Sequence, residues 1–331
     1  MEKGRKFLEV ENLEIQYVLK EETVYAVNNI SFSLEKGKTL GLVGETGAGK
    51  TSIARSILRI LPFPPAQVKS GAVYLNGKNL FEISEEEMCK VRGNQITMIF
   101  QDPMTALNPV MSVGKQIAEV VALHNSHLSA AQVRKKAEEM LELVGIPVER
   151  YDEYPHQFSG GMKQRVVISI ALACDPDLLL ADEPTTALDV TIQAQVLDLI
   201  RGLRESKGTS LILITHDLGV VAEMCDYVAI VYSGEIVEYG ILEDIFDRLQ
   251  HPYTLGLFGS LPRIQSGEKR LKPIAGLIPD PTNLPDGCKF HPRCPYATDA
   301  CKSGQIEEIE VTPGHFCKCS VLPMQGGMPN E

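Results

Sequence analysis

"TLGLVGETGAGKTSIARSIL", residues 39–58, governs how the rest of the chain is read. Its opening is a short apolar run closed by a glycine, and "TSIARSIL" repeats apolar residues at helical spacing, so the stretch predicts a buried strand, a glycine loop and a helix. The loop, Gly44 to Thr51, fits G-x-x-x-x-G-K-[ST], and a strand before it with a helix behind it is the context that gives this pattern meaning. Gly47 and Gly49 let main-chain N–H groups close around phosphate oxygens with no Cβ in the way, and the helix offers its positive N-terminal end. Gly44, Glu45, Thr46, Ala48 and Ser52 complete the candidate cradle. Lys50 would bridge the β- and γ-phosphates, and Thr51 would hold Mg²⁺. A plain glycine-rich turn is the competing reading, and the remaining motifs decide against it.

Upstream, residues 7–18 and 23–36 alternate apolar and polar positions and read as antiparallel strands. Downstream, "GAVYLNGKNL" reads as a strand and turn, and "QITMIFQDP" as a buried strand ending in a loop. A mostly helical insert follows over about 105–173, where "AAQVRKKAEEMLELVG" has i, i+3, i+4 spacing and a glycine stop. "DLLLADEP" and "SLILITHD" are apolar runs of strand length separated by the helical pattern "TIQAQVLDLIRGLRE", which implies an α/β fold with a mainly parallel sheet. Open sheets of that kind bind ligands beyond the carboxyl ends of their strands. That places Asp182 within reach of Mg²⁺, Glu183 where it would polarise an attacking water, and His216 where it would donate to a γ-phosphate.

The chain of 331 residues is 44% hydrophobic and 23% charged, the composition of an ordinary globular protein. Its net charge of −11 argues against a free-standing nucleic-acid binder, which would neutralise phosphates with clustered Lys and Arg. The first residues lack the continuous apolar run of a signal peptide, and "RVVISIALAC" and "YVAIVY" fall short of the roughly 18–20 residues that span a bilayer. The expectation is a cytoplasmic chain whose membrane role, if any, runs through a partner.

Six motifs in order, the phosphate loop, "FQDP" with Gln101, "FSGGMKQR" at 158–165, "LLLADEP", "ALD" ending in Asp189, and His216, resemble the ATPase subunits of ABC transporters over about residues 5–250. The resemblance implies an ABC ATPase fold with an antiparallel β subdomain, a mainly parallel core sheet and a helical insert. It implies that Ser159, Gly160 and Gly161 bind the ATP held by a partner subunit, so that ATP glues two subunits head to tail. Gln101 would sense Mg²⁺ or the attacking water, and Asp189 would contact the opposite protomer. The helical insert would dock on a membrane subunit. Tyr17 fits the family's adenine-stacking aromatic by position, with Tyr25 as its competitor. The usual signature opens with Leu and closes with Gln, whereas this chain has Phe158 and Met162, and a thioether cannot replace the amide's hydrogen bonds. "HPYTLGLFGSLPR" at 251–263 is similar to the segment opening the C-terminal extension of oligopeptide and dipeptide importer ATPases, with nickel importers sharing it.

Two domains are therefore expected: the ATPase at 1–250 and an irregular, cysteine-rich extension at 251–331. Seven of the 20 prolines lie between Pro262 and Pro295, without sustained helical or strand period. Of eight cysteines, Cys89, Cys174 and Cys225 lie in helical or core patterns and are expected to pack as small apolar residues, and five fall between Cys288 and Cys319. The spacing C-x5-C-x6-C-x15-C-x-C matches neither zinc ribbons nor bacterial ferredoxins, so spacing alone names no metal. In a cytosolic protein a metal is favoured over disulfides. The resemblance implies a [4Fe-4S] cluster on Cys288, Cys294, Cys301 and Cys319 with Cys317 left over, and Zn²⁺ is the alternative. His291 and His315 flank them and read as solvated polar residues or substitute ligands.

The functional expectation is an ATPase subunit on the cytoplasmic face of the membrane, powering peptide import. Its partners would be a second ATPase subunit, two permease subunits and, indirectly, a peptide-binding protein. Nickel import and a soluble ABC-type ATPase acting on ribosomes or DNA are the alternatives.

Overall fold

The computed structural model describes residues 6–185, 190–260 and 273–321. Among them the strands run β1 Lys6–Val18, β2 Thr23–Glu35, β3 Thr39–Val43, β4 Ala66–Leu75, β5 Lys78–Asn79, β6 Ile96–Ile99, β7 Leu178–Asp182, β8 Ser210–Thr215, β9 Tyr227–Tyr232, β10 Glu235–Ile241, β11 Ile309–Thr312 and β12 His315–Cys317. The alternating residues of β1 and β2 pair antiparallel, and β1 also pairs with β4, giving a four-stranded sheet in the order β2-β1-β4-β5. Asn76 and Gly77 both take positive φ between β4 and β5, as a two-residue hairpin turn demands.

The second sheet has the order β11-β12-β10-β9-β3-β8-β7-β6. Strands β9, β3, β8, β7 and β6 are parallel, and β10, β12 and β11 extend the sheet antiparallel. Every residue of β3, β7 and β8 is buried, because both faces are covered. Leu40, Leu42, Ile212 and Ile214 face a core shared with the antiparallel sheet, whereas Leu211, Leu213, Val228 and Ile230 face one shared with the insert.

The insert forms as its periodicity predicts, with helices Val113–His124, Ala130–Leu143 and Gly160–Leu172. Ser129 and Gln132 make a capping box at the start of the second, and Gly145, at φ 71°, follows its end.

The C-terminal extension differs from the expectation of irregularity. Pro252–Gly259 is a helix, and β11 and β12 continue the central sheet past β10. Strands of four and three residues are too short to carry a visible period. The expected boundary near residue 250 is also a point of attachment. The buried Glu238 carboxylate on β10 accepts the Gln250 and His251 N–H groups, each at 2.9 Å, and pairs with His315 Nε2 at 2.8 Å. His315 is therefore wholly buried and paired on β12, not a solvated residue.

Candidate nucleotide-binding site

Strand β3 leads directly into the glycine loop, which lies beyond its carboxyl end. A Cβ on Gly44 would strike the Val231 carbonyl oxygen of the neighbouring strand, and Gly49, at φ 101°, would drive one into the Ala26 carbonyl. Both positions need glycine for close approach of backbone to backbone. Gly47 has positive φ and open space where its Cβ would point.

Lys50 opens the helix Lys50–Ile57 and is buried, with Nζ donating to the carbonyls of Gly44 at 2.7 Å and Glu45 at 3.0 Å. Burial pushes this ammonium below its ordinary range, against the opposing charges of Glu183, Asp182 and Glu45. A bound phosphate would supply the missing counter-charge. Thr51 hydrogen-bonds the Asp182 carboxylate at the end of β7. Burial raises the Asp182 pKa above the usual carboxylate range, opposed by that hydrogen bond. Thr51 and Asp182 thus meet where a divalent cation would offset the desolvation of the carboxylate. Tyr17 reaches the same helix, its Oη 2.9 Å from Ser52 Oγ, whereas Tyr25 on β2 is exposed and bonds through its N–H to the Pro281 carbonyl.

Glu183 follows β7 with φ 47°, a left-handed conformation that costs a non-glycine residue about 1–2 kcal/mol. Its N–H donates to the Ile214 carbonyl on β8 at 2.9 Å, which fixes the turn. The carboxylate is bracketed: Gln101 Nε2 donates to Oε2 at 3.0 Å, and His216 Nδ1 lies 3.4 Å from Oε1. The three residues read from separate strand ends therefore form one group. Such a carboxylate can take a proton from an attacking water while an amide and an imidazole orient it.

Ser159 caps the helix Gly160–Leu172, its hydroxyl accepting the Met162 N–H at 3.4 Å. Ser159 and Gly160 are exposed, and no atom of the described residues lies where a Gly160 side chain would be. Gly161 packs close to Ile192. The two departures from the usual signature share one partner. Arg150 stacks its guanidinium 4.3 Å from the centre of the Phe158 ring and donates to Met162 Sδ at 3.2 Å and to the Gln157 carbonyl at 3.1 Å. Sequence reasoning missed Arg150, and also Gln164, whose buried amide donates to the Pro184 carbonyl beside Glu183 at 2.7 Å. Asp189 lies outside the described residues.

Cys288, Cys294, Cys301 and Cys319 line one small cavity together with His251, Phe290 and His291, whereas Cys317 is buried on β12 outside that lining. No disulfide joins any of the cysteines, and Cys89 is exposed rather than packed. Burial pushes the thiols of Cys288, Cys294 and Cys319 up, the last to about 11. Burial acts the same way on Cys301, but hydrogen bonds with Ser320 and Thr298 outweigh it and hold that thiol lower. Among the described residues no three His, Cys, Asp or Glu side chains are grouped closely enough to hold a single metal ion. No helix among them is long and apolar enough to cross a membrane.

Comparison with known proteins agrees with this geometry. Residues 27–186 match the family described as ABC transporter, and residues 237–301 match the C-terminal region of oligopeptide/dipeptide transporters. The chain is 48% identical over 320 residues to the oligopeptide transport ATP-binding protein OppD of Bacillus subtilis, covering 96% of this chain and 89% of that protein. It is 50% identical over 316 residues to the dipeptide transport ATP-binding protein DppD of the same organism, covering 95% and 94%. Among solved structures, the ATP-binding cassette MJ0796, as a dimer bound to ADP and phosphate, superposes with a TM-score of 0.65 at 26% identity, covering 71% of this chain and 98% of that one. This chain belongs to the ABC transporter ATPases, in their oligopeptide/dipeptide branch.

Proposed function

We propose that the chain hydrolyses ATP to drive import of di- or oligopeptides through partner permease subunits at the cytoplasmic face of the membrane. The observation that carries this reading is likeness along nearly the whole chain, C-terminal region included, to proteins named for oligopeptide and dipeptide transport. The nickel and ribosome or DNA readings have no comparable support.

In the proposed cycle the amides of residues 44–51 take the phosphates, Lys50 spans the terminal pair and Tyr17 stacks on the base. Thr51, Asp182 and Gln101 are the residues that would hold Mg²⁺, which neutralises charge on the phosphates when bound. Glu183 accepts a proton from the attacking water while Gln101 and His216 hold its carboxylate. Ser159 and Gly160, exposed at a helix N-terminus, and Gly161 beside them serve the ATP of a second ATPase subunit, with Asp189 at the same interface. The domain reading is an ATPase over 1–250, with its helical subdomain at about 105–173 facing the permease, and an extension over 251–331. Selectivity for the peptide would lie in the permeases and a peptide-binding protein.

We also infer that Cys288, Cys294, Cys301 and Cys319 hold a [4Fe-4S] cluster as a structural staple. Convergence of four thiols on one cavity supports it, whereas the absence, among the described residues, of three ligands grouped closely enough for one metal ion counts against the cluster and Zn²⁺ alike. Iron, sulfide and zinc analysis of anaerobically purified protein tests this: brown protein with iron and sulfide is expected, and colourless protein with stoichiometric zinc refutes it. The transport reading is tested by uptake of labelled dipeptide in cells lacking the gene. Uptake should return with the parent chain and not with Glu183→Gln, and uptake independent of the chain overturns the reading.

A further inference from the structure

The phosphate loop is gripped from outside the ATPase core by two residues of the C-terminal extension. The Glu45 N–H donates to the Tyr253 hydroxyl at 2.9 Å. Tyr253 is fully buried, its ring 4.5 Å from that of Tyr232 and 5.4 Å from that of Phe290. The Glu45 carboxylate is clasped by the Arg293 fork, with Nη1 to Oε2 at 2.7 Å and Nη2 to Oε1 at 3.1 Å. Arg293 is itself held, donating from Nε to the Ala275 carbonyl at 3.1 Å and from Nη1 to the Tyr232 hydroxyl at 3.3 Å, and only 4% of its side chain is exposed. It sits in the turn His291–Arg293, immediately before Cys294 of the thiol-lined cavity.

A carboxylate in a loop that must accept a polyphosphate is a repulsive element, since like charges a few ångströms apart in a partly dry site oppose each other strongly. Its presence at position 45 calls for a counter-charge that stays fixed when the nucleotide arrives. A bidentate guanidinium locked by two further hydrogen bonds meets that need, where a mobile lysine would not.

We propose that Arg293 and Tyr253 are positioning residues of the nucleotide site: Arg293 neutralises Glu45 against the incoming triphosphate, and Tyr253 fixes the first turn of the loop. The cysteine-bearing extension is then a strut of the ATP site, and the order of its fold is felt as ATP affinity. The proposal rests on the reading of residues 44–51 as the phosphate cradle.

The test uses the full chain and titrates MgATP and MgADP by calorimetry alongside hydrolysis kinetics. Arg293→Gln should weaken MgATP about tenfold, with a smaller loss for MgADP, and the hydrolytic loss should fall on KM rather than kcat. In Glu45→Gln/Arg293→Gln the naked carboxylate is gone, so ATP affinity should return toward that of the parent. A merely structural Arg293 would leave the double variant as weak as the single. Parent-like affinity in Arg293→Gln, or no recovery in the double variant, overturns the assignment. Should Arg293→Gln fail to fold, Tyr253→Phe carries the test, because it removes only the hydroxyl that receives Glu45 N–H: weaker MgATP binding is expected and parent-like affinity refutes the strut. A parent chain that takes up no MgATP would instead refute the phosphate-cradle reading.

Discussion

Glu183 pays a backbone cost that Gly or Asn would avoid, and the turn it adopts is what points its carboxylate between Gln101 and His216. Replacing it with its isostere isolates the chemistry from the geometry. Glu183→Gln should keep MgATP binding while lowering turnover at least about 100-fold, measured as phosphate release beside equilibrium binding. Unchanged turnover would remove Glu183 from its role as base. These residue types were legible because each closes an apolar strand run. The left-handed backbone at 183 was not, since Glu carries no sign of positive φ.

At the scale of elements, the strand, loop and helix over residues 39–58 formed as their periods require. Gly44→Ala would push a methyl into the Val231 carbonyl and should cost about 1–3 kcal/mol, seen as a lower thermal midpoint. A midpoint equal to the parent's would show that the loop can shift away from β9. The signature helix depends on Arg150, which couples Phe158 and Met162 across the turn before it. Arg150→Ala should reduce turnover several-fold while sparing MgATP affinity at the chain's own loop, if the signature serves a partner's nucleotide as proposed. Equal losses in affinity and turnover would contradict that separation. Such local pairings escape sequence reading, which had marked Met162 only as a lost amide. Strands β11 and β12 escaped it for a different reason: they are too short to show a period, β12 pairing with β10 and β11 with β12.

Across the whole molecule, the phosphate loop near the start of the chain meets the C-terminal extension. Arg293 and Glu45 lie 248 positions apart, a pairing no local pattern encodes. Glu238 on β10 also ties the extension to the core, holding His315 and the two N–H groups at residues 250 and 251. Glu238→Leu strands those buried donors and should cost about 3–5 kcal/mol in denaturant unfolding. A loss under about 1 kcal/mol would show that the extension is held elsewhere, a surface-pair value rather than a buried one. The central claim is that main-chain amides and Lys50 in residues 44–51 grip a nucleotide's terminal phosphates, and calorimetric titration of the folded chain with MgATP tests it most directly. Uptake of one MgATP per chain, weakened at least about tenfold in Lys50→Ala, is the predicted result. Folded parent protein that takes up no MgATP, or Lys50→Ala binding as tightly as the parent, would contradict it.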